Sequence, residues 1–261
     1  MRWDPTQYAL FFDHRSRPFF DLVGRIEHPA PNRVVDLDCG PGELTSVLAR
    51  RWPDAEVVGM DSSPEMVERA RALPDRPANL TFTVSDVREF TVEAGTDVVI
   101  SNALLQWVPG HQALLERWAN GLEAGGWLAM QVPGNFSSPS HVLMRELADS
   151  PRWKPELNGV LRHDDAVSEP GEYLRLLRGA GLEVDAWETT YQHLLQGKDP
   201  VLEWVRGTGL RPVLAVLEPD DADEFERSYA ALLAEAYPAG ADGTVFPFRR
   251  IFAVGVKLPA A

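Results

Sequence analysis

The residues best equipped for chemistry in this 261-residue chain are acidic and cluster around one turn. Val34-Val35-Asp36-Leu37-Asp38-Cys39-Gly40-Pro41-Gly42 reads as a short buried strand that carries acid at its end and breaks into a glycine turn. Glu43 to Trp52 follows with helical patterning. Glycine in such a turn lets backbone approach a ligand closely, and the start of the next helix offers free N–H groups. Glu56-Val57-Val58-Gly59-Met60-Asp61 reads as a second strand. Its terminal acid comes about 20 residues after the glycines, where nucleotide-binding βαβ units hold ribose hydroxyls.

The kind of ligand follows from what the turn lacks. A dinucleotide fingerprint wants a third glycine on the helix, so that a pyrophosphate can sit at its N-terminus. Here Gly42 is followed by Glu43, Leu44, Thr45 and Ser46, and a glutamate in that place repels a pyrophosphate. It tolerates a ligand without phosphate that carries positive charge, as S-adenosylmethionine does. Cys39 is the single cysteine and cannot form an intramolecular disulfide. No Cys/His spacing suggests zinc, so no metal is expected and Cys39 reads as a small residue in a tight loop.

These residues need a scaffold, and the patterning supplies one. Strands are expected at 79–85, 97–101 and 127–132, with helices at 63–73 and 111–123 between them. Asp97 to Ser101 is almost continuously apolar, as a strand buried on both faces must be. Regular alternation of this kind means a parallel, doubly wound α/β sheet with right-handed crossovers. Ligands bind at the carboxyl ends of its strands, where Asp36, Asp61, Asp86, Asn102 and the 133–135 turn fall. Before the first strand, residues 3–26 read as two short helices separated at Pro18. Beyond 133 the alternation breaks: an amphipathic piece at 139–147, helices at 172–181, 201–217 and 220–237, and strands at 184–194 and 250–256.

The net charge of −14 argues against nucleic-acid or acidic-membrane binding, which needs a basic face. It leaves room for a small acidic ligand held by a few local arginines. No signal pattern opens the chain and no run is long enough for a membrane span, so a cytoplasmic protein is expected.

The order of elements and the Asp36–Gly42 loop resemble the class I S-adenosylmethionine-dependent methyltransferases, whose loop usually reads Asp-Leu-Gly-Cys-Gly-Pro-Gly. Further blocks resemble the trans-aconitate 2-methyltransferase family: Trp3-Asp4-Pro5 with Tyr8, Arg15-Ser16-Arg17-Pro18, Gly59 to Pro64, Asn102-Ala103 with Leu105-Gln106-Trp107, His141 to Glu146, Thr189-Thr190-Tyr191 and Thr208 to Pro212. They span almost the whole chain. The resemblance implies a Rossmann-like, seven-stranded sheet with its last strand antiparallel and a helical cap. The core would be about 32–133, 170–196 and 246–257, and the cap 1–28, 134–169 and 197–245. It also implies transfer of a methyl group to a carboxylate of a small anionic tricarboxylate, trans-aconitate, with no general base.

By position, the resemblance assigns the cofactor to Tyr8, Asp36, Asp38, Cys39, Gly40, Asp61, Ser62, Asp86, Val87 and Asn102. For substrate it points to Arg17, Arg145, Arg211 and Arg250, with Gln106, Trp107 and His141 as secondary candidates. Asp38 is the departure, because it stands where the pattern has its first glycine. Its carboxylate either pairs with the ammonium group of the methionine end, crowds the loop, points to solvent, or caps the adjacent turn.

Overall fold

The computed structural model describes residues 12–162 and 164–259. Tyr8 lies outside the described residues. The chain divides into two compact units. One comprises Ser16–Pro133, Val167–Glu188 and Ile251–Ala261, and is called here the sheet unit. The other comprises Met1–Arg15, Gly134–Ala166 and Thr189–Arg250, and is called the helical unit.

In chain order the sheet unit contains β1 (Arg33–Leu37), α2 (Glu43–Arg51), β2 (Glu56–Asp61), α3 (Pro64–Arg71), β3 (Leu80–Val84), β4 (Val98–Asn102), α4 (His111–Gly121) and β5 (Trp127–Pro133). α1 (Phe12–Val23) precedes them, and α7 (Pro170–Gly179) follows later in the chain. Two long late strands, β6 (Leu182–Leu195) and β8 (Gly243–Lys257), complete the sheet in the order β3-β2-β1-β4-β5-β8-β6. β1 to β5 are parallel and the late strands antiparallel, as expected. The two-residue β7 (Ala239–Gly240) adds an antiparallel pairing to β8.

Burial explains the pattern. β4 is apolar on both faces because both are covered, and Val98, Val99 and Ile100 are fully buried. Trp118 of α4 and Tyr173 and Leu177 of α7 pack with Val35, Val99 and Leu128 in one core. α3 starts where the sequence signals it: the Ser63 hydroxyl accepts from Met66 N at 3.3 Å and Pro64 opens the first turn. Lys257 donates to Ala119 O (3.0 Å) and Ala180 O (2.6 Å), so one ammonium satisfies terminal carbonyls of both α4 and α7.

Elsewhere the structure departs from the sequence reading. α1 runs through Pro18 instead of stopping there. The missing N–H costs one helical bond, yet Phe19, Leu22 and Val23 on the far side are buried, and that burial outweighs the local preference. The helix expected at 201–217 is two pieces, α8 (Pro200–Arg206) and α9 (Arg211–Leu214). Thr208-Gly209-Leu210 forms the break, with Pro212 in the first turn of α9. The helical unit also holds α5 (Pro139–Ala148), the one-turn α6 (Lys154–Leu157) and α10 (Pro219–Ala236). Its own core gathers Met144, Trp153, Trp204, Phe225, Tyr229 and Phe246.

Candidate functional site

β1 lies between β2 and β4, so the strand order reverses direction around it, and the crevice at the carboxyl end of such a switch point is where these sheets bind ligands. The pairing of Leu37 with Met60 and with Ser101 brings Asp36, Asp38, Asp61 and Asn102 to that edge.

The loop is held by backbone and side chain together. Cys39 N donates to Met60 O (2.9 Å), and Ser46 N to Gly42 O (2.9 Å). Asp61 accepts from Gly40 N at 2.9 Å on one oxygen and from Ser63 N at 2.8 Å on the other, which fixes the turn and leaves each oxygen a further lone pair. Buried Asp36 accepts the Thr45 hydroxyl at 2.6 Å. Thr45 was not singled out from sequence; its signal would have been a hydroxyl one turn into a helix behind a buried acid.

Three carboxylates in one crevice cannot all ionise at their usual pH. Burial raises Asp36 to about 7 against the opposing Thr45 hydrogen bond, with Asp61 adding to the rise. Burial, then Asp61 and Asp36, raise Asp38 to about 8. Asp61 is raised by burial, opposed by the N–H groups of Ser63 and Gly40. Burial and the same three carboxylates push the Cys39 thiol up, so Cys39 is an inert, buried small residue.

Asp38 adopts φ +66°, the left-handed region that favours glycine and that aspartate tolerates better than most residues. Among the described residues nothing lies within 4 Å of where a Cβ on Gly40, at φ +55°, would stand. Gly42 is different. At φ +89° its Cβ would stand 2.6 Å from Phe82 Cζ and 2.8 Å from Ala70 Cβ. We therefore expect Gly42→Ala to lower unfolding free energy by about 2–4 kcal/mol in urea titration. Gly40→Ala should cost only about 1 kcal/mol, the left-handed penalty, but impair cofactor binding in calorimetry out of proportion to that loss.

The other sequence candidates in the sheet unit are less uniform. Ser62 is exposed beside Asp61, and Val87 is half-buried against the core. Asp86 caps its own turn, accepting from Arg88 N at 2.9 Å and pairing with the Arg88 guanidinium, which holds its carboxyl down to about 2. The buried Asn102 Oδ1 has no hydrogen-bond partner among the described residues, and the next residue, Ala103, is left-handed at φ +59°. A left-handed alanine at the end of a central strand is strain of the kind binding sites hold, and sequence gave no sign of it. Gln106 is buried, its amide donating to Ala103 O, while Trp107 is 37% exposed. Arg17 is exposed on α1.

In the helical unit, His141 and Arg145 meet. Both line a small, partly open cleft with Phe136, Met144, Gly209 and Arg162, the last unremarked in the sequence because it follows the amphipathic piece at 139–147 in a stretch without periodicity. Arg211 begins α9 beside this cleft's Pro212, and Arg250 is buried with its guanidinium 4.5 Å from the Phe248 ring centre. Among the described residues no group of His, Cys, Asp and Glu is placed to hold a metal ion. No helix among them is long and apolar enough to cross a membrane.

The family described as a methyltransferase domain matches residues 34–126, the span that contains the whole loop and its carboxylates. A trans-aconitate 2-methyltransferase of Streptomyces avermitilis is 55% identical over 260 residues, 98% of this chain and 97% of that one. One of Rhodococcus jostii is 53% identical over 97% of this chain and 98% of its own. The chain belongs to the trans-aconitate 2-methyltransferase family. Solved structures share the fold at low identity. A Haemonchus contortus phosphoethanolamine N-methyltransferase with S-adenosyl-L-methionine gives a TM-score of 0.57 at 17% identity, covering 97% of this chain and 56% of that one. For a Streptomyces coelicolor geranyl diphosphate C-methyltransferase the score is 0.55 at 16% identity, covering 97% and 82%.

As a member of this family the protein is an S-adenosylmethionine-dependent methyltransferase, and its residues fit that cofactor. An acidic crevice suits a cationic ligand without phosphate, and among the described residues nothing crowds Gly40 and the buried Asn102 Oδ1 has no hydrogen-bond partner.

Proposed function

We propose that the protein esterifies one carboxylate of trans-aconitate to the monomethyl ester, with S-adenosylmethionine as donor. The observation that carries this reading is identity of 53–55% over essentially the full length with relatives of that name, including the helical unit where substrate residues are expected. Asp61 would hold the ribose hydroxyls, and Asp36, Asp38 and Gly40 the methionine end. Asn102 would accept from the ligand beside them. Asp86 and Val87 would flank the adenine, with Arg88 competing for Asp86.

When bound, the cofactor supplies an electrophilic methyl group for a carboxylate oxygen. That oxygen is already ionised at neutral pH, its ordinary pKa being about 4, so no residue has to remove a proton. The protein's work is to hold the acid in line at near-attack distance and to exclude water. Arginine forks are suited to holding the carboxylates that do not react. His141 stays out of acid–base chemistry: burial, then the charges of Arg162 and Arg145, lower it to about 4, so it is neutral at pH 7.

Mass spectrometry of a reaction mixture provides the test. A single added methyl on trans-aconitate, lost on mild base treatment as an ester is, is the expected product. Methylation of another acid in preference to trans-aconitate would move the activity elsewhere in the methyltransferases.

A further inference from the structure

We propose that the side-chain amide of Gln131, on β5, holds the carboxylate that accepts the methyl group, an assignment that rests on the trans-aconitate reading and adds a residue to it. Gln131 is 1% exposed, and its Nε2 has no hydrogen-bond partner among the described residues. Buried amides are almost always bonded, so an open donor in the middle of a sheet is a mark of function rather than of packing.

Strand alternation places it. Val35, Leu37, Val99, Leu128, Met130 and Val132 point into the core shared with α4 and α7. Their neighbours point the other way, toward α2, where Asp36 accepts the Thr45 hydroxyl. Gln131 is one of these neighbours. It pairs in register with Asn102, as Asp36 does with Gly59 and with Ile100. One face of the sheet unit therefore carries, from β2 across β1 and β4 to β5, Asp61, Asp36, Asn102 and Gln131.

Along that row the polarity changes. Two carboxylates come first, then the buried Asn102 Oδ1 without a partner, and last an N–H donor. Acceptors face a cation and donors an anion. The crevice thus suits a positive ligand at β2 and β1 and a negative one reached at β5, which is what transfer from a sulfonium to a carboxylate requires. The turn after β4 is tied to the same residue. Ala103, left-handed at φ +59°, donates its N–H to Gln131 O at 2.9 Å, and its own carbonyl accepts from the Gln106 amide.

A neutral donor is the right kind for the oxygen that reacts. As that oxygen takes the methyl group its O–C bond forms and the S–C bond breaks, the electron pair staying on sulfur. Carboxylate and sulfonium both become neutral. A guanidinium at the reacting carboxylate would bind it more strongly before the transfer than during it and so raise the barrier, whereas an amide N–H orients it with a smaller penalty. Arginines are suited to the carboxylates that keep their charge.

Steady-state kinetics, calorimetry and thermal melting of the intact enzyme test this, with trans-aconitate and S-adenosylhomocysteine as probes. Gln131→Met keeps the length of the side chain and removes the donor. It is expected to raise KM for trans-aconitate about tenfold, to weaken trans-aconitate binding in the presence of S-adenosylhomocysteine to the same degree, and to leave S-adenosylhomocysteine affinity within about twofold. Because no internal bond is lost, its melting temperature without ligands should equal or exceed that of wild type. A merely structural glutamine gives the reverse, a lower melting temperature with unchanged KM, and that result overturns the proposal. Gln131→Glu, of the same shape with an acceptor in place of the donor, should raise KM at least as far; if the Met variant is too unstable to assay, unchanged KM in the Glu variant overturns the proposal. Weaker S-adenosylhomocysteine binding with unchanged KM assigns the amide to the carboxylate of the methionine end and overturns it too. Turnover by wild type with unchanged KM in Gln131→Met removes Gln131 and leaves the proposed function standing. Absence of turnover and of trans-aconitate binding in wild type overturns the function itself, and the role of Gln131 with it.

Discussion

Asp61→Ala should weaken S-adenosylhomocysteine binding by about a hundredfold or more, measured by calorimetry, and should be the most damaging single change to cofactor affinity. Two losses combine in it. The carboxylate that would engage the ribose hydroxyls is gone, and Gly40 N and Ser63 N lose the acceptor that shapes the turn. Each stranded donor costs about 1–3 kcal/mol if it stays buried, so a lower melting temperature should accompany the weaker binding. One effect opposes this: removing Asp61 relieves repulsion on Asp36 and Asp38. That relief is secondary to burial for both groups, so the net result remains a loss. Binding unchanged by the substitution would place the cofactor away from the end of β2.

The second large effect is a pH dependence with a definite sign. In the folded protein Asp38 and Asp36 titrate near 8 and 7, well above the 3.8 of a free aspartate. Between those limits the folded state retains protons that the unfolded chain has released, and stability falls as pH rises. The contribution is complete below about pH 4 and lost as pH passes through 7 to 8. Asp38→Asn removes one of the two groups. We expect the variant without cofactor to gain on wild type as pH rises, by about 2 kcal/mol at pH 9, screened from a larger value because the side chain is partly exposed. Urea titrations from pH 5 to 9 would show it. Binding should move the other way. The ammonium group of the methionine end selects ionised carboxylates, so wild-type affinity for S-adenosylhomocysteine should rise between pH 6.5 and 8.5, roughly the range of these two titrations, and the Asn variant should respond less. Parallel stability curves for the two proteins would mean that Asp38 is already ionised at neutral pH.

What the sequence made legible is what rests on short-range pattern. The alternation of buried strands with amphipathic helices, the glycine turn, the Ser63 cap and the acid closing β2 are each written within a few residues, and each appears where expected. Less visible was anything set by packing. Pro18 reads as a helix stop because the local rule says so, and only the burial of Phe19, Leu22 and Val23 shows why the helix continues. From sequence Asp86 could either serve a ligand or cap its own turn, and only the folded protein shows Arg88 drawn back onto it. Asp38 was recognised as out of place by comparison with a glycine pattern. Its left-handed backbone explains both why glycine is usual there and why aspartate is tolerated.

The candidate substrate residues show the same limit. Resemblance pointed to four arginines and to His141, but could not say which of them share a cleft. Arg145 and His141 do, on one face of α5, whereas Arg162 reaches the same cleft from a segment that no periodic pattern marks. A position of that kind is set by how distant pieces of chain return to one another, and it becomes visible only in the folded protein.

Transfer of labelled methyl from S-adenosylmethionine to trans-aconitate, with wild type and Asp61→Ala assayed side by side and cofactor binding measured on the same samples, tests the central claim most directly. Wild type is expected to place label in a base-labile ester, and Asp61→Ala to lose both binding and label. Cofactor binding by wild type without label in any ester of trans-aconitate would contradict it.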